Sequence, residues 1–149
     1  MHRCRFANSD DGIQIEKLFK RVRDGVKFTA LFNWSDQQIS QELILSHFYL
    51  NADSDGSVQG FIAHRVSVDF VEIMALGTDP SKIKSGLMVS LLNKFVQNFS
   101  NQGLQVTLEV HEQNQPAISL YLKCGFKLVG NRPSYYKDGG SALVMTFMS

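Results

Sequence analysis

Between Leu87 and Val110 the spacing of the apolar residues changes once, and that change constrains the fold more than any other feature of the chain. Leu87, Met88, Leu91, Leu92, Phe95, Val96 and Phe99 recur at helical spacing until Gly103 stops them. Leu104, Val106, Leu108 and Val110 then alternate with Gln105, Thr107 and Glu109, as in a strand with one apolar face and with Glu109 pointing away from it. An amphipathic helix followed at once by a half-buried strand predicts helices layered on a sheet.

The rest of the chain extends that pattern. Arg3 to Ala7 reads as a first strand, and Ser9-Asp10-Asp11 offers caps for a helix with Ile15, Leu18, Phe19 and Val22 on one face. An apolar stretch from Val26 to Trp34 follows. Ser35 and Gln38 then have the spacing of a capping box that opens a helix through about Ser46, with Ile39, Leu43 and His47 on its buried side. Phe48 to Leu50 begins a strand that ends in the turn residues Asn51 to Gly56. Val58 to Val66 and Asp69 to Leu76 continue it as a meander. Gly77 to Ser85 is a polar loop with Pro80 inside it. After the central helix and strand, Asn114-Gln115-Pro116 opens a helix carrying Ala117, Ile118, Tyr121 and Cys124, and Gly125 closes it. Phe126 to Val129 and Ala142 to Met148 are strands around the loop Gly130 to Ser141. The order β-α-α-β-β-β-α-β-α-β-β predicts a mixed α/β sheet (α+β in its segregation of elements) rather than a doubly wound one.

Composition bounds the partners. The 149 residues read as one domain, 1–149, and a chain of this size buries roughly 70% of its unfolded surface without staples. Lys and Arg number 15 against 14 Asp and Glu, with no basic run, which argues against a nucleic-acid or membrane-surface protein. Any anionic ligand must therefore be held locally. No apolar core follows the basic start Met1 to Arg5, and no run reaches the ~20 residues of a membrane helix, so a cytoplasmic location is expected. Cys4 and Cys124 lie far apart, and His2, His47 and His64 have no ligand spacing, so neither disulfide nor metal is expected.

Leu108-Glu109-Val110, then Asn114 to Ala117, Leu120-Tyr121 and Cys124-Gly125-Phe126, closely resemble the GNAT acyltransferase superfamily, whose fold has this same element order. Trp34-Ser35 and Tyr135 to Gly139 resemble the RimI type within it, which acetylates the terminal alanine of a ribosomal protein. The resemblance implies acetyl-coenzyme A (CoA) as cosubstrate and direct transfer of acetyl to a primary amine. An amine must lose a proton before it attacks, and a departing thiolate is helped by a proton donor. By resemblance Glu109 is the base, through water, and Tyr121 the acid. By the same resemblance Asn114 would anchor the pantetheine arm, and Ala75, Leu76 and Ala117 would be further cofactor-binding residues. Read by spacing alone, Tyr121 is a core aromatic and Glu109 a solvated strand residue.

The family's pyrophosphate loop, Q/R-x-x-G-x-G/A, falls on Ile83-Lys84-Ser85-Gly86-Leu87-Met88. Its backbone amides and the positive end of a helix surround an anion. Only Gly86 keeps the pattern. Ile83 replaces Gln or Arg and Met88 replaces Gly or Ala, while Lys82 and Lys84 offer charge nearby. Trp34, Tyr135 and Tyr136 are the expected substrate contacts, though loop tyrosines also serve as packing anchors. His111 is an alternative base, since imidazole titrates near 6.5, and Cys124 reads as a small buried hydrophobe. The expected acceptor is a peptide N-terminus, on a monomer or homodimer. A small amine or amino-sugar, or a catalytically weak module that binds a partner, are the alternatives.

Overall fold

The computed structural model describes residues 3–25, 34–83 and 85–147. Along it run β1 (Arg3–Phe6), α1 (Gly12–Gly25), α2 (Asp36–Leu45), β2 (His47–Ala52), β3 (Val58–Val66), β4 (Phe70–Thr78), α3 (Leu87–Ser100), β5 (Gln105–His111), α4 (Gln115–Lys123), β6 (Phe126–Arg132) and β7 (Ala142–Phe147). This is the order that the periodicities predict. The strands make one mixed sheet, β1-β2-β3-β4-β5-β7-β6. Every neighbouring pair is antiparallel except β4 and β5. Parallel neighbours need a crossover, and α3 supplies it.

Helices cover both faces because successive strand residues point to opposite sides. Tyr49 of β2 joins Ile73, Leu92, Phe95, Leu108 and Tyr121 under α3 and α4. Its neighbours Phe48 and Leu50 turn to the other face, against Ile15, Leu18 and Phe19 of α1 and Ile39 of α2. Leu92 and Phe95 are completely buried, so truncating either to alanine costs roughly 2–5 kcal/mol.

Local signals hold with small shifts. Ser35 Oγ accepts the Gln38 amide at 3.0 Å and Gln38 Oε1 accepts the Ser35 amide at 2.8 Å, so both arms of the capping box form. At α1 the cap lies earlier than predicted. Asn8 caps a short 3-10 turn, Ser9–Asp11, and Asp11 returns to the Asn8 amide while holding Arg5 through both carboxylate oxygens. His47 is not on the buried side of α2: the helix ends at Leu45, Ser46 is extended, and His47 is the exposed first residue of β2. β6 runs to Arg132 rather than Val129, because β7 keeps pairing with it past a bulge between Leu128 and Gly130. Most of the stretch from Val26 to Trp34 lies outside the described residues, which resume at Trp34. None of the described helices is long and apolar enough to cross a membrane.

One feature of the sheet creates the site. β4 and β5 pair only from Phe70 and Gln105 to Ile73 and Leu108. Beyond that point β4 stays with β3 as far as Thr78, while β5 stays with β7 as far as His111. The strands part, and the sheet opens between them.

Candidate active site

The opening is a cleft of about 1100 Å³. Its floor is the parted strands, Met74 to Thr78 on one side and Glu109 to His111 on the other, and its walls come from the starts of α3 and α4, from Trp34 and from Tyr135 and Tyr136. Past Ile73 the β4 backbone has no β5 partner, so the edge facing the gap has peptide groups to offer an extended ligand.

The start of α3 is built for an anion. Gly86 precedes it with φ +81°, a left-handed conformation that glycine adopts at no steric cost, and no side chain caps the helix. The first satisfied amide is that of Ser90, on the Gly86 carbonyl. Among the described residues the amides of Leu87, Met88 and Val89 therefore have no partner, on residues that line the cleft at the positive end of the helix. Leu87 is buried against Gly60, where any Cβ would fall 2.7 Å from its Cδ2. Met88 both packs on the core and lines the cleft, while Ile83 and Lys82 stand exposed at its rim. Ser85 does not line the cleft, and its hydroxyl donates to the Lys82 carbonyl at 2.6 Å. Lys84 lies outside the described residues. Asp79 ties the preceding loop to α1 through a two-pronged pair with Arg21, at 2.8 and 3.0 Å.

Across the gap, Asn114 caps α4 by accepting the Ala117 amide at 3.3 Å, and both residues line the cleft beside Ala75 and Leu76. Two turns into α4, Tyr121 is buried beside Phe126, with ring centroids 5.7 Å apart. Burial pushes its phenol well above the usual range, and the Tyr136 hydroxyl adds to that. Tyr121 is therefore fully protonated at neutral pH. Among the described residues its hydroxyl takes no hydrogen bond.

Glu109 reaches the cleft from the face of β5 opposite to Leu108 and Val110, as its alternation predicts. Among the described residues its Oε2 is buried without a hydrogen bond, and Nε of Arg132 lies 3.5 Å away. Tyr136 is half-buried nearby. Burial raises its phenol first, and the Glu109 carboxylate raises it further. Glu109, Tyr136 and Tyr121 thus form a continuous electrostatic set.

His111 drops out as a base. Its Nδ1 accepts the Gln113 amide at 3.0 Å and its Nε2 faces Asp138 Oδ2 at 2.8 Å, so neither nitrogen is open to a substrate. Trp34 lines the cleft with its ring edge-on to Phe19 at 5.3 Å. The structure also adds Glu72 and Gln38 to the lining of the cleft and sets Arg132 against Glu109. None carries a local pattern that marks it as a site residue: Gln38 reads as half of a capping box, Glu72 sits inside an apolar run, and Arg132 falls in a stretch that reads as loop. Among the described residues no three His, Cys, Asp or Glu side chains gather to hold a metal ion.

The Acetyltransferase (GNAT) family model matches residues 14–126. The chain is 31% identical over 113 residues to an N-alpha-acetyltransferase RimI of Mycobacterium tuberculosis, covering 72% of this chain and 70% of that protein. It is 32% identical over 113 residues to an N-alpha-acetyltransferase of Sulfurisphaera tokodaii, covering 63% of this chain and 65% of the relative, so it spans a little under two thirds of that relative's length. The crystal structure of the ribosomal-protein-S18-alanine N-acetyltransferase from Escherichia coli shares the fold, with a TM-score of 0.81 at 22% identity over 100% of this chain and 96% of that one.

Proposed function

The chain belongs to the GNAT acetyltransferase family, and from that premise we propose that it moves acetyl from acetyl-CoA to the α-amine of a protein or peptide N-terminus. The observation that carries this reading is the parting of β4 and β5, which puts Glu109 and Tyr121 on one cleft with the open amides of α3. The N-alpha-acetyltransferase relatives favour a peptide acceptor.

The residues fit a CoA ester. The amides of Leu87 to Val89 and the ammonium of Lys82 would take the diphosphate, and the free edge of β4 with Asn114 and Ala117 would take the pantetheine arm. Bound there, the ester supplies an activated acyl carbon. Glu109 removes a proton from the arriving ammonium, directly or through a water, and the freed lone pair forms the new C–N bond. As the C–S bond breaks, Tyr121 donates its hydroxyl proton to the departing sulfur; the second proton that the nitrogen sheds on becoming an amide passes to solvent, and solvent reprotonates Tyr121. A raised phenol is a weaker acid than an ordinary tyrosine, so burial keeps the proton available at the expense of driving force.

The test is thiol release from acetyl-CoA across a panel of N-terminal peptides, small diamines and amino-sugars. Release with peptides that is lost in Tyr121→Phe supports the proposal, and no release with any acceptor overturns it. A second reading has one observation behind it: Ile83 and Met88 line the cleft where the family has Gln or Arg and Gly or Ala. Millimolar CoA binding in a calorimetric titration would favour a partner-binding module instead.

A further inference from the structure

We propose that His111 is a positioning residue which, through Asp138, clamps the tyrosine-bearing loop 133–141 onto the turn before α4 and so fixes the acceptor wall of the cleft. That this wall faces an acceptor rests on the proposed acetyl transfer; the clamp itself does not.

His111 is 4% exposed at the end of β5. The Gln113 amide donates to Nδ1, so that nitrogen carries no proton, and the ring is held as the Nε2–H tautomer donating to Asp138. The other Asp138 oxygen accepts the Gly140 amide at 2.8 Å, and the Gly140 carbonyl accepts the Tyr136 amide at 3.0 Å. Tyr136 then stacks on the imidazole, with centroids 4.7 Å apart and planes 25° from parallel, and Tyr135 stands edge-on to Tyr136 at 5.2 Å. A Cβ on Gly140 would overlap the imidazole, so a glycine there lets the loop close on the ring.

The same histidine holds the other side. The His111 carbonyl accepts the Asn114 amide at 2.9 Å, and the Glu112 amide donates to the Ser141 carbonyl at 2.9 Å. Asn114 caps α4, which carries Tyr121. His111 therefore joins the wall that bears Tyr136 to the helix that bears Tyr121. Small misplacements of a positioned wall are costly, because a shift of about 1 Å can lose roughly 10²-fold in rate.

Four variants test this: His111→Ala, His111→Gln, Asp138→Ala and the His111→Ala/Asp138→Ala double. Asp138 is exposed enough for its variant to fold even if a His111 variant does not. Each is assayed for N-terminal peptide acetylation and for deuterium exchange of segment 133–141. Both alanine variants are expected to raise acceptor KM roughly tenfold while acetyl-CoA KM stays within about twofold, and both speed exchange in the loop. His111→Gln, whose amide can still donate to Asp138, recovers part of the loss. The double variant is no worse than either single one, the sign of one shared device. Unchanged loop exchange overturns the clamp, and faster exchange with unchanged acceptor KM overturns its role in positioning. Absence of turnover in the parent protein overturns the acetyl-transfer reading and leaves the exchange measurement to decide the clamp.

Discussion

Glu109 Oε2 is buried and, among the described residues, without a hydrogen bond, although Arg132 Nε stands only 3.5 Å away. The carboxylate has a positive neighbour but no committed donor, which is what a group receiving a proton requires. Replacing Glu109 by Gln should lower kcat by roughly 10²–10⁴-fold, the usual contribution of a general base. The Arg132 side chain is more than half exposed, at 58%, so Arg132→Gln should change kcat less than about fivefold and the change should shrink with salt. Steady-state rates at two ionic strengths check both. Equal losses in the two variants would make Arg132, not Glu109, the group that matters.

Tyr121→Phe separates chemistry from packing. The hydroxyl has no hydrogen bond among the described residues while the ring is buried beside Phe126, so removing the oxygen leaves the packing intact. The variant should unfold within about 1 kcal/mol of the parent, since no buried partner is orphaned. It should nonetheless lose roughly 10²-fold or more in kcat if the hydroxyl is the acid. Calorimetric melting alongside thiol release measures both, and an intact rate would remove Tyr121 from the mechanism.

Gly86→Ala probes the anion site by backbone alone. No atom lies within 4 Å of a Cβ built there, so the substitution meets no steric obstacle beyond its own φ of +81°. Holding alanine left-handed costs roughly 1–2 kcal/mol. Relaxing that strain turns the first amides of α3. The expected outcome is a loss of stability of that size in urea titration together with weaker CoA binding by calorimetry. Weaker stability with unchanged binding would take the α3 amides out of the cofactor site.

How far residue patterns carry is seen by comparing α2 with the clamp. Ser35 and Gln38 act three residues apart, so their spacing announced a capping box that forms with both bonds. Asn114 and Pro116 announced the start of α4 in the same way. His111 and Asp138 meet across 27 residues, and nothing local to either marks the other. The parting of β4 and β5 is equally silent, because Met74 to Thr78 reads as strand whether or not β5 stays beside it. Glu109 was identifiable as a residue pointing off the apolar face; that its Oε2 is buried and lacks a donor follows only from the fold. His47 departs from its expected face because the helical spacing ends at Leu45 and Ser46 extends the backbone directly before it.

His64 is 1% exposed, ringed by Phe95 at 4.8 Å and Phe99 at 5.5 Å, with Nδ1 donating to the Ile62 carbonyl at 3.1 Å. Burial is the main cause that brings its pKa from 6.5 down to about 4; the Ile62 carbonyl pulls the other way, and His47, directly across the strand pair, adds to the lowering. The unfolded chain then binds a proton between pH 6.5 and 4 that the folded chain refuses. Stability is therefore full above pH 6.5 and falls as pH drops through that window, by about 3 kcal/mol for a shift of this size. Asp11, held down by the Arg5 guanidinium, and Asp138, held down by the Gly140 amide and His111, lose their contributions only below the ordinary carboxylate value of 3.8. The two windows are distinct. Urea unfolding at pH 7, 5.5 and 4.5 should show the decline, and His64→Phe, which fits the surrounding rings, should flatten it. A decline that persists in His64→Phe would assign the pH dependence to another group.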